Sequence, residues 1–279
     1  MKPDGAPVRS LNRVLRRVAD ALASPDRPIR RRLSPAYSRL LGLLSGGRGY
    51  PAEINGSVFR IDPRFRWAVW DRHERTVADY LSARVTAGQC CFDVGANIGL
   101  YVLQFARWAA PSGRVVAFEP NPATLDVLRA HVRMNGLEDR VTVVPMAAGA
   151  EAGGAQLYDT SPGSGLSRIG GAHPGIEMPV TPVEIPLTTI DDYCRSSRTV
   201  PDWMLIDVEG YEYEVLLGAA DTLRRHRPRV LVELHQHVSS ERSRASGLRL
   251  LDELGLVPVP VPGSEKGRSE TFVTLEPRI

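Results

Sequence analysis

Cys91-Phe-Asp-Val-Gly-Ala-Asn-Ile-Gly-Leu-Tyr101 is the stretch on which the fold turns. An apolar run from Gln89 to Val94 breaks at Gly95, Asn97 and Gly99, and Leu100-Tyr-Val-Leu-Gln-Phe-Ala106 resumes with helical character. The pattern reads as strand, tight turn, helix. Glycines in such a turn permit positive φ and let a ligand approach the backbone without meeting a Cβ, while N–H groups at the helix start attract polar or anionic groups. A nucleotide-type cofactor is implied.

Spacing selects among cofactors. The dinucleotide fingerprint is G-x-G-x-x-G, whereas this turn is Asp93-x-Gly95-x-Asn97-x-Gly99, with an acid two residues before the first glycine. Asp93-Val-Gly-Ala-Asn-Ile-Gly99 resembles the first motif of class I S-adenosylmethionine-dependent methyltransferases. Such an acid can hydrogen-bond the cationic amino acid end of that cofactor, which a dinucleotide lacks. Gly113-Arg-Val-Val-Ala-Phe-Glu-Pro-Asn-Pro122 follows as a second strand ending in Glu119. That acid lies about twenty residues beyond the glycine turn, where this kind of fold places an acceptor for ribose hydroxyls. Asn121, between Pro120 and Pro122, joins Glu119 among the cofactor-binding candidates, and the helix 123–135 starts there. Arg140-Val-Thr-Val-Val144 is a β-branched strand, and Met146 and Ala147 leave its end where a class I methyltransferase holds the adenine.

The length of 279 residues allows one substantial core, and 43% hydrophobic with 24% charged residues is the composition of a soluble globular protein. No apolar run is long enough to span a bilayer, and the basic first thirty residues lack the apolar segment of a signal peptide. Three cysteines, two of them adjacent, form neither a disulfide framework nor a zinc spacing, so a reducing cytoplasm is expected. The net charge of +3 hides an asymmetry: residues 1–50 carry eleven Lys/Arg against three Asp/Glu. Leu11, Val14, Leu15, Val18 and Leu22 fall at helical spacing among arginines. A basic helical or partly disordered extension is therefore expected over 1–50, packed on the core or touching an anionic membrane face peripherally.

Residues 51–279 read as one domain. Glu53 to Ile61 carries an Asn55-Gly56 hairpin signal, and a helix over 71–84 leads into the first sheet strand, with His73 and Glu74 read as solvated capping residues. Leu157-Tyr158 and Val183 to Leu187 read as an added hairpin around a Gly/Ser/Pro-rich loop, 159–179, a candidate substrate lid with Ser164 and Ser167 as polar contacts. Thr188 or Thr189 caps the next helix. Trp203-Met-Leu-Ile-Asp-Val-Glu-Gly-Tyr-Glu212 then runs apolar residues straight to Asp207 and turns through Glu209-Gly210. A central strand that delivers carboxylates to its C-terminal end places them in the crevice where open α/β sheets bind ligands. Arg229-Val-Leu-Val-Glu-Leu-His-Gln-His237 repeats the design with Glu233 and His235, His237 being read as solvated. A helix over 240–254 and strands over 257–261 and 271–275 close the domain.

Phe92-Asp-Val-Gly-Ala-Asn-Ile-Gly99, Phe118-Glu-Pro-Asn-Pro122, Thr189-Ile-Asp-Asp192, Ile206-Asp-Val-Glu-Gly210 with Val215-Leu-x-Gly218, and Arg227-Pro-x-x-x-x-x-Glu233 together resemble, in order and spacing, the FkbM family of methyltransferases. Thr189-Ile-Asp departs conservatively from the Leu more usual after that Thr. The resemblance covers roughly residues 53–275. It implies a class I, seven-stranded Rossmann-like sheet of order 3-2-1-4-5-7-6 with helices on both faces. It also implies S-adenosylmethionine and methylation of a hydroxyl on a sugar, glycolipid or polyketide.

Methyl transfer to oxygen requires alignment of the hydroxyl and removal of its proton. Asp207, Glu209, Glu233 and His235 are the candidate catalytic groups, with His235 or Asp207 as general base. Asp207 and Glu233 also suit a hard divalent ion, Mg²⁺ or Ca²⁺. Two rival readings are a cofactor-binding protein without transferase activity and, from the basic N-terminus, a nucleic-acid methyltransferase. The second lacks the Asn/Asp-Pro-Pro-aromatic run usual in amino-directed enzymes, and Asp207-Val-Glu-Gly210 stands in its place. No nucleic-acid partner is expected.

Overall fold

Short runs of buried, mostly aliphatic residues build the centre of the protein. In this computed structural model, residues 46–65, 73–158, 167–169, 182–235, 241–264 and 270–277 are described. The expected helix of the N-terminal extension, most of the 159–179 loop including Ser164, and His237 lie outside them. Strand β1 (Tyr50–Ile54) and strand β2 (Ser57–Ile61) form an antiparallel hairpin. Asn55 and Gly56 sit at φ 45° and 84°, as a two-residue turn of type I′ requires.

Helix α1 (Arg75–Ser82) leads into β3 (Cys90–Val94), α2 (Leu100–Trp108), β4 (Arg114–Phe118), α3 (Pro122–Met134) and β5 (Val141–Val144). A second group follows: β6 (Ala147–Ala148), β7 (Gly153–Tyr158), β8 (Arg168–Ile169) and β9 (Pro182–Thr188). The chain then forms α4 (Ile190–Ser197), β10 (Trp203–Ile206), α5 (Glu212–Leu217), α6 (Ala220–His226), β11 (Arg229–His235), α7 (Glu241–Glu253), β12 (Leu256–Pro260) and β13 (Glu270–Pro277). Seven strands make one sheet in the order β12-β13-β11-β10-β3-β4-β5, which is 3-2-1-4-5-7-6 when read from β5 and numbered by appearance within the sheet. The strands from β5 to β11 are parallel, and β13 runs antiparallel to both neighbours.

Alternation sorts the side chains into two layers. Cys91, Val115, Trp203, Leu205 and Leu231 pack with α2 and the hairpin on one face, whereas Phe92, Val116, Met204, Ile206 and Val232 pack with α5 and α6 on the other. Register then places a rim. Val94, Phe118, Ile206 and Val232 are level across four adjacent strands, so Gly95, Glu119, Asp207 and Glu233 all follow at the same height. The added hairpin is larger than its sequence suggests. Strands β6, β9, β7 and β8, in that order, form a separate four-stranded sheet whose small core is Ala147, Leu157 and Ile185.

Two polar clamps fix the hairpin and the glycine turn. Asn135 at the end of α3 accepts the Arg60 N–H at 2.9 Å and donates to the Arg60 carbonyl at 2.7 Å. His131, fully buried, meets the Ile98 carbonyl through Nδ1 at 2.7 Å and accepts the Asp62 N–H through Nε2 at 2.8 Å. That pairing assigns the neutral tautomer with its proton on Nδ1. Burial lowers the His131 pKa, against the pull of the Ile98 carbonyl and Asp62, while Arg64 nearby also lowers it.

Two outcomes follow from these contacts. A depressed histidine stabilises the fold at pH above its ordinary value, and that contribution is lost as pH falls through the lower folded value. Thermal melts at pH 7.5 and 5.5 should therefore differ more in the native chain than in His131→Gln, and equal differences would contradict the assignment. Gly95 has φ +88°, and a Cβ there would lie 1.8 Å from the Asp207 carbonyl oxygen. Gly95→Ala should lower stability by about 1–3 kcal/mol in denaturant titrations, with an unchanged midpoint as the contrary result.

Candidate functional site

The rim opens into a cleft of about 360 Å³ that combines the glycine turn, the ends of β4, β10 and β11, and one side of the second sheet. Its volume falls in the range of roughly 300–1,000 Å³ usual for small-molecule sites. Asp93, Gly95, Asn97, Glu119, Ala147, Asp207, Glu209 and Glu233 all line it. Gly99, at φ +89° and the N-cap of α2, completes the turn from behind, where its Cβ would strike Leu128. None of the described residues lining the cleft is Lys or Arg.

The half nearest β3 and β4 is built around two acids. Glu119 Oε2 accepts the Asn97 N–H at 2.8 Å and Oε1 accepts the Asn121 N–H at 2.9 Å, so one carboxylate braces the glycine turn against the start of α3. A carboxylate offers about four acceptor positions, and two backbone bonds are compatible with ribose hydroxyls as well. Asp93 is 3% exposed, and its Oδ2 is buried without a hydrogen-bond partner among the described residues. Burial, together with Glu119 and Glu74, pushes its carboxyl up to about 8 against the opposing Val102 N–H. A buried oxygen of this kind fits the ammonium group of S-adenosylmethionine. The turn at Gly95, where any Cβ is excluded, fits close approach of the cofactor to the backbone.

Two of the expected cofactor residues are elsewhere. Asn121 is a helix cap: its Oδ1 accepts the Ala123 N–H at 3.0 Å, and it does not line the cleft. Flanking prolines that start α3 commit its side chain to that cap. Met146 packs against the opposite core layer, because the chain leaving β5 presents Ala147 and Ala148 to the cleft instead.

The other half gathers more acids than the sequence reading supplied. Asp207 keeps part of its surface toward the cleft, yet its Oδ1 is buried without a hydrogen-bond partner among the described residues. Burial, then Glu233, Glu209 and Glu74, raise its pKa well above the carboxylate range. Glu74 lines this wall and accepts the Tyr101 hydroxyl at 2.8 Å, and His73 lines it too, so neither is the solvated cap expected. Glu74 stands at φ 43° with no side-chain capping bond, which turns its carboxylate inward. Ser167, from the proposed lid, also reaches the cleft.

His235 is the main correction. Its Nδ1 lies 2.7 Å from Glu212 Oε1 and its Nε2 lies 3.3 Å from Glu209 Oε2. Burial works against its charge, but the bonds to Glu209 and Glu212, with Asp207 nearby, push its pKa up to about 11. A ring whose two nitrogens both face carboxylates turns neither toward an acceptor hydroxyl and does not serve as a general base. Glu212, fully buried and absent from the expected site, also accepts the Gly210 N–H at 2.7 Å. The signal that pointed to it was His235 itself, since a buried imidazole on a strand end needs an orienting partner. His235, Asp207 and Glu233 offer ligand atoms that all lie within 4.8 Å of one another.

Comparison with known proteins agrees with this architecture. Residues 93–255, more than half of the chain, match the methyltransferase FkbM domain. A hexuronic acid methyltransferase, AglP of Haloferax volcanii, is 29% identical over 195 residues, covering 67% of this chain and 74% of that protein. An arginine N(omega)-methyltransferase of Streptomyces achromogenes is 29% identical over 115 residues, 40% of this chain and 31% of that one. The crystal structure of an FkbM methyltransferase from Methylobacillus flagellatus aligns over 88% of this chain with a TM-score of 0.50 and 17% identity. This chain spans 60% of that structure's length. With the glycine turn, the braced Glu119 and the matched domain in agreement, the chain belongs to the FkbM family of class I S-adenosylmethionine-dependent methyltransferases.

Proposed function

We propose that the protein transfers a methyl group from S-adenosylmethionine to a hydroxyl of a sugar, glycolipid or polyketide-type acceptor. The observation that carries this reading is that Asp93 and Glu119 share one cleft with Asp207, Glu209 and Glu233. Donor and acceptor are thereby held side by side, which converts a bimolecular reaction into an effectively unimolecular one. The sugar-acting relative AglP supports the acceptor class.

When bound, S-adenosylmethionine supplies an electrophilic methyl on a sulfonium. Asp93 holds its ammonium group, Glu119 its ribose, and Ala147 packs beside its ring. Asp207 takes the proton of the attacking hydroxyl. Burial and the neighbouring acids raise its pKa, so this carboxylate holds a captured proton more strongly than an ordinary Asp does. Glu209 and Glu233 accept hydrogen bonds from the acceptor's neighbouring hydroxyls and fix its orientation. A nucleic acid fits poorly, since phosphate recognition relies on Lys and Arg and no described residue lining the cleft is either. The same surplus of carboxyls favours a cationic nitrogen acceptor as the second class, of the kind named for the arginine-methylating relative.

The test is methyl transfer from labelled cofactor to panels of neutral sugars, uronic acids, arginine derivatives and RNA. Transfer to a sugar hydroxyl is expected, and exclusive transfer to arginine or RNA would overturn the acceptor assignment. Asp207→Asn should lower kcat about 10²–10⁴-fold with cofactor affinity retained. Glu119→Gln, which keeps one acceptor but sets an amide NH2 against the other backbone N–H, should instead weaken cofactor binding about tenfold or more. Loss of cofactor binding in Asp207→Asn would move that residue from chemistry to scaffold.

A further inference from the structure

The acceptor side of the cleft contains an electrostatic contradiction that its own side chains do not resolve. A carboxylate is acceptor-only, so the 2.7 Å contact between Glu212 Oε1 and His235 Nδ1 makes Nδ1 the donor. In the neutral ring that choice leaves a lone pair on Nε2. Nε2 faces Glu209 Oε2 at 3.3 Å, with Asp207 and Glu233 close by. A lone pair set against ionised carboxylates is repulsive, and a proton or a metal ion between them relieves it. A proton is one solution, but a charge-assisted N–H···O bond draws in to about 2.7–2.9 Å. The Glu212 side of the ring shows that contraction and the Glu209 side does not.

A larger cation suits the spacing. We propose that Asp207, Glu233 and His235 bind a divalent metal ion, with Glu212 fixing the ring tautomer that presents Nε2 to it. Ligands on one octahedral ion with bonds of about 2.1 Å stand roughly 3–4.2 Å apart. The three donor atoms, already within 4.8 Å of one another, need only a small inward turn to reach that geometry. Glu209 Oε2, at 3.3 Å from Nε2, borders the same space. Within the cluster, the Asp207 Oδ1 atom is buried with no hydrogen-bond partner among the described residues, which points to a ligand that the protein itself does not supply.

The donor set refines the choice of ion. Two carboxylates alone suit Mg²⁺ or Ca²⁺, whereas an imidazole nitrogen shifts preference toward first-row transition ions. Mn²⁺ accepts both donor types. The buried Glu212 supplies the outer carboxylate that metal-bound histidines use to hold their orientation, and it is itself anchored by the Gly210 N–H. This deepens the function proposed above, because an ion here lowers the pKa of an alcohol bound to it and shares the work of Asp207. Its binding does not depend on that function.

Mn²⁺ titrated into the full-length, chelator-stripped protein tests the site without reference to turnover. The sextet signal of free Mn²⁺ in electron paramagnetic resonance should fall by about one ion per chain. Electron spin echo modulation from a directly bound imidazole nitrogen should appear in the native protein, which requires no variant to fold. Glu212→Gln should weaken Mn²⁺ about 10–100-fold, and His235→Gln should remove the nitrogen modulation. An undiminished sextet would overturn the proposal and leave His235 as an imidazolium between two carboxylates. Binding without nitrogen modulation would equally overturn the ligand set. Cofactor affinity measured on the same samples separates the two levels: intact cofactor binding with no Mn²⁺ uptake defeats only the metal site, and absent cofactor binding defeats the transferase reading.

Discussion

Like charges brought together at one sheet rim, without a basic residue among the described residues that line it, are the constraint on which this protein turns. Glu74, Asp93, Glu119, Asp207, Glu209 and Glu233 share one cleft. Each buried carboxylate disfavours the ionisation of its neighbours, and burial adds a desolvation cost. The raised pKa values of Asp93 and Asp207 are the direct expression of that conflict. A site built this way is completed by ligands that carry positive charge. On the proposed reading the ammonium and sulfonium groups of S-adenosylmethionine meet that need on the β3 side, and the imidazole of His235 meets it only partly on the β11 side.

The backbone makes this convergence unavoidable. Parallel strands in register bring Gly95, Glu119, Asp207 and Glu233 to one height, although more than a hundred positions separate the first from the last. Alternation along the strands puts Asp93, Glu119, Asp207 and Glu233 on the same face of the sheet as Cys91, Ala117, Leu205 and Leu231. The glycine turn is then pressed so closely on the end of β10 that no side chain fits at Gly95. Glu119 serves two purposes in this arrangement: its bonds to the Asn97 and Asn121 N–H groups hold the turn in shape, and it also lines the cleft.

Much of this was legible from the residues. The Asp93-to-Gly99 turn, the second acid at Glu119 and the repeated strand-to-carboxylate pattern at Asp207 and Glu233 depend on local periodicity, which a sequence displays openly. Contacts set by three-dimensional proximity were not legible. Glu74 reaches the cleft because of a left-handed backbone and a bond from Tyr101, 27 positions away and outside any helical or strand period. Glu212 is hidden in the first turn of α5, where an acid is ordinarily read as complementing the helix dipole. Asn121 and Met146 were assigned by position along the chain, and both were claimed by competing local demands, a helix cap and a core layer. For His235, the residue was identified and its role was not, since the carboxylates at both of its nitrogens arrive from α5 and from the loop before it.

Calorimetric titration of S-adenosylmethionine into the protein at pH 7, repeated in buffers of different ionisation enthalpy, tests most directly whether ligand charge relieves the crowded acids. With its carboxyl pushed up to about 8, Asp93 is mostly protonated before binding and, on the proposed reading, gives up its proton when the ammonium group arrives. The account predicts heats that vary with the buffer and correspond to release of close to one proton per cofactor, and a marked loss of that release in Asp93→Asn. Heats independent of buffer would show that the carboxylates coexist ionised in the empty cleft, and would contradict it.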